Sequence, residues 1–306
     1  MTGSFKRLFA AAISFFIFSH PAYANDPIQQ AAKFFKEKKY DKAAEVYSKV
    51  IKTYPNTDWE LTSRFMTAKI HEAKGDTENA IEAYKHIVSK HKKSAYAEES
   101  YFSVAKLRSA SNDNINAVKA YEAYLKAYPA GTFAPIAYFN AANINREAKD
   151  YAKALEYYSK ILSLYPNDFF FYSWSAIYSG HIHFIKKEYE TAADFYRRVI
   201  NSDRNRFLHT LSSLYLGEAL MEKKDYASAE IVFQNILKTT RQFSEEALYG
   251  LARAQFESSK YDMAKETLET IAQLYPQSVW MKEVKDKLKV TEAKLREAKN
   301  KDAKEL

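Results

Sequence analysis

The sequence predicts an all-α chain, a solenoid of about seven helical hairpins closed by a C-terminal capping helix. Three observations carry this. A set of small, aromatic and aliphatic residues recurs seven times, at intervals of 37, 37, 37, 38, 37 and 35. Helix breakers are scarce, with 6 glycines and 7 prolines in 306 residues, whereas an all-β chain would need many tight turns. Hydrophobic residues make up 47% of the chain, ample for a buried core.

Residues 1–24 read as a signal peptide. Lys6 and Arg7 give a basic start, Leu8 to Phe18 is a short uncharged apolar run, and Ala22, Tyr23 and Ala24 form an A-x-A cleavage signature. The run is too short to span a bilayer, which needs about 20 residues. Cleavage after Ala24 would leave a soluble chain outside the cytoplasm, with no transmembrane segment. Cysteine is absent, so disulfides, thiolate nucleophiles and thiolate-bound metals are excluded. Without Lys6 and Arg7, 44 basic residues face 38 acidic ones, about +6 and spread along the chain. A nucleic-acid partner would want a concentrated basic face.

The repeat is aligned on Ala43, Ala80, Ala117, Ala154, Ala192, Ala229 and Ala264. Four residues after each stands Tyr47, Tyr84, Tyr121, Tyr158, Tyr196, Phe233 or Leu268, and three further on Val50, Ile87, Tyr124, Ile161, Val199, Ile236 or Ile271. Offsets of 0, 4 and 7 share one helix face. Twelve residues before each alanine stands another small residue, Ala31, Ala68, Ala105, Ala142, Gly180, Gly217 or Ala252. This one belongs to a preceding helix, where a missing side chain lets the two helices approach. Tyr40, Tyr151, Tyr189, Tyr226 and Tyr261 mark the turn between them, and Pro55, Pro129, Pro166 and Pro276 close repeats. The predicted repeats are 25–60, 61–97, 98–134, 135–172, 173–209, 210–244 and 245–278. Asp26 and Pro27 supply an N-cap acceptor and a proline at the first helical position. In 279–306, Trp280, Val284 and Leu288 recur every four residues, the stripe of a cap that a solenoid needs over its last face, followed by a charged tail.

This pattern of small residue, alanine, aromatic and proline resembles the tetratricopeptide repeat, over about residues 24 to 278. Most intervals are 37 rather than the family's 34, and the family's early tryptophan is replaced by Phe65, Phe102 and Phe139 or nearby aliphatics. The resemblance implies a right-handed superhelix whose first helices line a concave groove. It then implies groove positions three residues before the small residue (Phe102, Phe139), one after it (Lys106, Asn143) and four after it (Arg146). With Asn140 these are candidate partner-binding residues. Lysine, asparagine and arginine beside aromatics could hold an extended peptide or its carboxylate end. A strict carboxylate clamp is not expected, because only Asn143 fits it; Phe139 and Tyr178 stand where the family's lysine and second asparagine belong. Phe169, Phe170, Phe171, Tyr172 and Trp174 crowd one junction. They are either extra packing or an apolar docking site, and Phe170, Trp174 and Tyr178 join the candidates on the second reading.

No catalytic motif stands out. His71 and Glu72 begin a zinc-protease signature, but its second histidine position is Gly75. His181 and His183, two apart on a helix, point to different sides and make a poor metal pair. The chain is expected to be no enzyme, with no cofactor and no metal. The segment Tyr128–Tyr138 (YPAGTFAPIAY) with Lys149–Ala154 (KDYAKA) resembles two exported groups, the Tol–Pal-associated cell-division coordinator and the lipoprotein of the outer-membrane β-barrel assembly machine. The likeness implies a periplasmic scaffold or adaptor in envelope assembly or maintenance, with protein or peptide partners. The alternatives are a chaperone or receptor for exported chains, or a regulatory subunit of an envelope enzyme.

Overall fold

A computed structural model describes residues 26–202 and 205–305; the expected signal peptide lies outside them. The described residues form helices and no strand. In order, the hairpins are α1 (Pro27–Lys36) with α2 (Tyr40–Thr53), α3 (Asp58–Lys74) with α4 (Thr77–Lys90), and α5 (Ala97–Ala110) with α6 (Asn114–Ala127). Then come α7 (Ala134–Glu147) with α8 (Tyr151–Leu164), α9 (Phe169–Ile185) with α10 (Tyr189–Ser202), α11 (Arg206–Glu222) with α12 (Tyr226–Thr239), and α13 (Ser244–Glu257) with α14 (Tyr261–Leu274). Helix α15 (Met281–Glu305) follows. The chain divides into two compact units between Ala137 and Tyr138, and within each unit consecutive helices pack on one another. Among the described residues no helix is long and apolar enough to cross a membrane.

The first hairpin begins two residues after its expected boundary, and the other six begin one to four residues before theirs. The largest differences, at α3, α9 and α11, fall where a side chain caps the helix. Thr57, Asp168 and Asn205 accept hydrogen bonds from backbone amides of the first turn, satisfying donors that would otherwise be orphaned. Phe169 to Tyr172, expected to end the fourth repeat, therefore open the fifth hairpin.

Each hairpin turn is built the same way. Lys38, Gly75, Asn112, Lys149, Lys187, Lys224 and Ser259, each five residues before the aligned alanine, have positive φ. The amide that follows each reaches back to the last turn of the first helix, as in Lys39 to the Phe34 carbonyl and Asp150 to the Asn145 carbonyl, both 2.8 Å. This is the left-handed C-terminal cap that satisfies the end carbonyls. Tyr40, Tyr151, Tyr189, Tyr226 and Tyr261 are the first residues of the second helices. Gly75 has φ 76° and open space around a would-be Cβ, so Gly75→Ala should cost about 1 kcal/mol from conformation alone. Lys224→Gly should gain about 0.5 kcal/mol, steric relief offset by chain entropy. Thermal denaturation of the two variants reads both signs.

All seven aligned alanines are fully buried, as are Tyr47, Tyr84, Tyr158, Phe233 and Leu268. The small residues twelve positions earlier prove to be landing sites for these rings. A Cβ on Gly180 would lie 2.6 Å from the Tyr196 ring, and one on Gly217 would lie 2.5 Å from Phe233. A Cβ on Gly250 would lie 2.4 Å from the same ring. Phe233 thus sits against two glycines of successive first helices. A further periodic set went unread in the sequence: Ser63, Ser100, Ala137, Ser175, Ser212 and Ala247, five residues before the small residue, all at 0% exposure.

Another unread series gives one aromatic to each junction: Trp59, Tyr96, Phe133, Phe170, Phe207, Phe243 and Trp280. In four cases its ring lies near an aromatic 31 residues earlier. Tyr96 stacks on Phe65 at 4.5 Å, Phe133 on Phe102 at 4.7 Å and Trp280 on Tyr249 at 5.5 Å, while Phe170 meets Phe139 tilted at 6.4 Å. Such ring pairs add about 0.5–1.5 kcal/mol beyond area burial.

Candidate functional site

The second unit gathers most of the candidate residues. Asp168 accepts from the Phe171 amide at 3.2 Å, which starts α9 and sets its first turn of phenylalanines. Phe139 on α7 lies 5.4 Å from Phe171, 6.0 Å from Tyr178, 6.2 Å from Tyr158 and 6.4 Å from Phe170. Trp174 stacks on Tyr178, one turn along, at 5.5 Å. The cluster is not closed over. Phe169 is 52% and Phe170 49% exposed, and Phe139, Trp174 and Tyr178 are half-buried. The aromatic run is divided, with Phe171 packed against the hairpin core while Phe169 and Phe170 face solvent.

Polar groups border these rings. The Arg146 guanidinium lies over the Tyr178 ring, 4.5 Å from its centroid, a cation–π contact worth about 0.5–2 kcal/mol depending on desolvation. Its ion pair is with Glu147, its sequence neighbour, at 3.6 Å. Asn143 accepts from the Tyr158 hydroxyl at 2.7 Å, and burial raises that hydroxyl above the ordinary tyrosine range. Asn140 is half-buried on the same helix. The His181 ring packs edge-on to Tyr215 at 4.4 Å and lies 5.8 Å from Tyr196. Burial, with the Arg146 charge adding to it, pushes its pKa down to about 4. His183 points elsewhere, stacking on Phe195 and contacting Glu188. No group of three histidines or acids able to hold a metal exists among the described residues.

Two candidates lie in the first unit and do other work there. Phe102 is 5% exposed and packs on Phe133, so its ring serves the core. Lys106 bonds to Glu72 at 2.5 Å, and Tyr84 donates to the same carboxylate at 2.9 Å. Burial pushes the Glu72 carboxyl up, but the Lys106 bond and charge outweigh it and leave the pKa below the usual range. Lys69 and Glu99 pair likewise at 2.6 Å. Groove positions of adjacent repeats neutralise one another here.

The comparisons agree with this architecture. Three family models, each described as tetratricopeptide repeat, match residues 135–168, residues 220–284, and residues 29–57 with 62–94. No curated protein matches. Among solved structures, the C-terminal part of a TPR repeat-containing protein from Cytophaga hutchinsonii is 16% identical, with TM-score 0.62, over 84% of this chain and 98% of that one. A structure of Naa15/Naa10 bound to HypK-THB is 17% identical with TM-score 0.59; the match takes in 91% of this chain but only 41% of that one. YrrB, described as a TPR protein with an unusual peptide-binding site, is 18% identical with TM-score 0.52, over 68% of this chain and all of YrrB. At these identities the likeness is one of fold. The helical hairpins, their repeated register and the matching models together make this a chain of tetratricopeptide repeats.

Proposed function

We propose that the protein is a periplasmic scaffold of the cell envelope, which holds a partner protein through the aromatic cluster of its second unit. Tetratricopeptide repeats imply a protein–protein interaction scaffold, and the signal-like residues 1–24 support export. One observation carries the choice of site: half-exposed Phe170 is continuous, through Phe139, Trp174 and Tyr178, with a guanidinium stacked on Tyr178. An aromatic or aliphatic side chain of the partner fits among the rings, and a neighbouring carboxylate meets Arg146. A few buried aromatic and arginine anchors supply most of the energy at such interfaces.

A photocrosslinker placed at Phe170 in cells should capture one dominant envelope protein, and one placed at the exposed Ile115 should not. Replacing Trp174 with serine should cut capture at Phe170 at least fivefold with an unchanged circular dichroism spectrum. Capture of many nascent outer-membrane proteins would replace the scaffold with a chaperone, and equal capture at both positions would dismiss the site.

A further inference from the structure

We propose that the first unit carries a second binding site, a basic cleft with an apolar floor that takes an acidic protein segment bearing one aliphatic or aromatic side chain. The cleft opens between the second helices α4 and α6, above α5, with a cavity volume of about 440 Å³. Val88, Tyr101, Val104 and Ala120 give it an apolar floor and walls, and Lys85 and Lys119 stand at its rim. Tyr101 and Val104 lie on the side of α5 opposite to Phe102 and Lys106, as helical spacing requires. The cleft is therefore distinct from the groove positions considered above, and it does not depend on the Phe170 site.

Charge argues for an acidic occupant. Two residues after the aligned alanine, the repeats carry Glu45, Glu82, Glu156, Asp194 and Glu266, with Ile231 in the sixth. The third repeat alone reverses the sign, at Lys119. Lys85 and Lys119 are both exposed and make no ion pair among the described residues. Arg108 beside them is already committed, giving its two terminal nitrogens to Glu78 at 2.9 and 3.2 Å. The end of α4 and the turn after it add Lys90, Lys92 and Lys93 around a neighbouring recess. Two ammonium groups outside any ion pair, Lys119 close enough to Asp113 for its charge to be felt there, stand over a recessed floor and match carboxylates flanking one apolar side chain. A lipid surface would meet the lysines but could not reach the floor between the helices, so a protein segment is the better fit.

The test uses the full chain and a fluorescein-labelled peptide, Glu-Asp-Glu-Leu-Glu-Asp-Glu, followed by fluorescence anisotropy at low salt. The expected result is saturable binding, weakened about tenfold or more by Lys85→Glu with Lys119→Glu, the equivalent of about 1.4 kcal/mol. Serine in place of the leucine of the peptide should also weaken it, and added salt should diminish it. Lys160→Glu, the same charge change on another repeat, should leave binding unaltered, and so should Phe170→Ser, which separates this site from the one in the second unit. The proposal is overturned if the peptide does not bind, or if Lys160→Glu weakens it as much as the double variant does. Binding to phosphatidylglycerol vesicles in place of the peptide overturns it as well.

Discussion

Gly217→Leu should unfold the second unit or lower its stability by about 3 kcal/mol or more. A Cβ alone would already stand 2.5 Å from the Phe233 ring, and three further carbons have no space among fully buried Phe233, Ala229 and Leu220. Phe233 has no space to move into, because Gly250 of the next first helix is equally close to the tip of the ring, where a Cβ would stand 2.4 Å away. Overpacking a filled core typically costs about 1–3 kcal/mol, and here two helix contacts are displaced at once. The helix-propensity gain from replacing glycine, about 1 kcal/mol, does not offset this. Adding Phe233→Ala should restore part of the loss, since the two sites share one space. Ala154→Leu should act in the same direction in the fourth repeat, where Ala154 is fully buried beside Tyr158 and Ile161. Urea denaturation measures all three, and an unchanged midpoint for Gly217→Leu would disprove the ring-on-glycine contact.

The second large effect is a loss of stability in mild acid through His181. Its pKa is about 4 in the fold, from burial and then from the Arg146 charge, against about 6.5 in an unfolded chain. Between those values the unfolded chain takes up a proton that the folded chain refuses, so falling pH favours unfolding. The stabilisation is complete above about pH 6.5 and is lost progressively down to about pH 4, amounting to at most about 3 kcal/mol. His181→Phe keeps an aromatic ring beside Tyr178, Tyr196 and Tyr215 and removes the titration. It should match the parent protein at pH 7 and exceed its stability at pH 4.5. Parallel acid limbs for the two proteins would show that His181 is not the group responsible.

The two predictions draw on different kinds of information. Gly217 and Phe233 could be paired from spacing, because the small residue and the ring hold the same offset in six repeats, with Leu268 in place of the ring in the seventh. Nothing in the spacing singled out His181. Its neighbours Tyr196 and Tyr215 come from a second helix and from the following first helix; Tyr196 belongs to the periodic ring series, but the histidine itself recurs at no fixed offset. The ion pair that engages Lys106 is hidden from the spacing for a related reason. Its partner Glu72 lies 34 residues earlier, and the pairing depends on how one repeat is rotated on the next. The aromatics of 169–174 were legible as unusual but not as divided. Asp168 caps α9 ahead of them, and that placement turns Phe171 inward and leaves Phe169 and Phe170 outward.

What the sequence determined by itself is the hairpin and its register. Each repeat meets the same steric demands, so small residues, rings and turn positions recur at fixed offsets, and recurrence makes a weak local signal strong. Tertiary structure decided which charges survive unpaired and which rings stay wet. In the first unit the groove positions cancel between adjacent repeats, whereas Lys85 and Lys119 do not. In the second, the rings around Phe170 exceed what one helix face can bury. Those outcomes follow from contacts between repeats, whose geometry is set by packing and leaves no period in the chain.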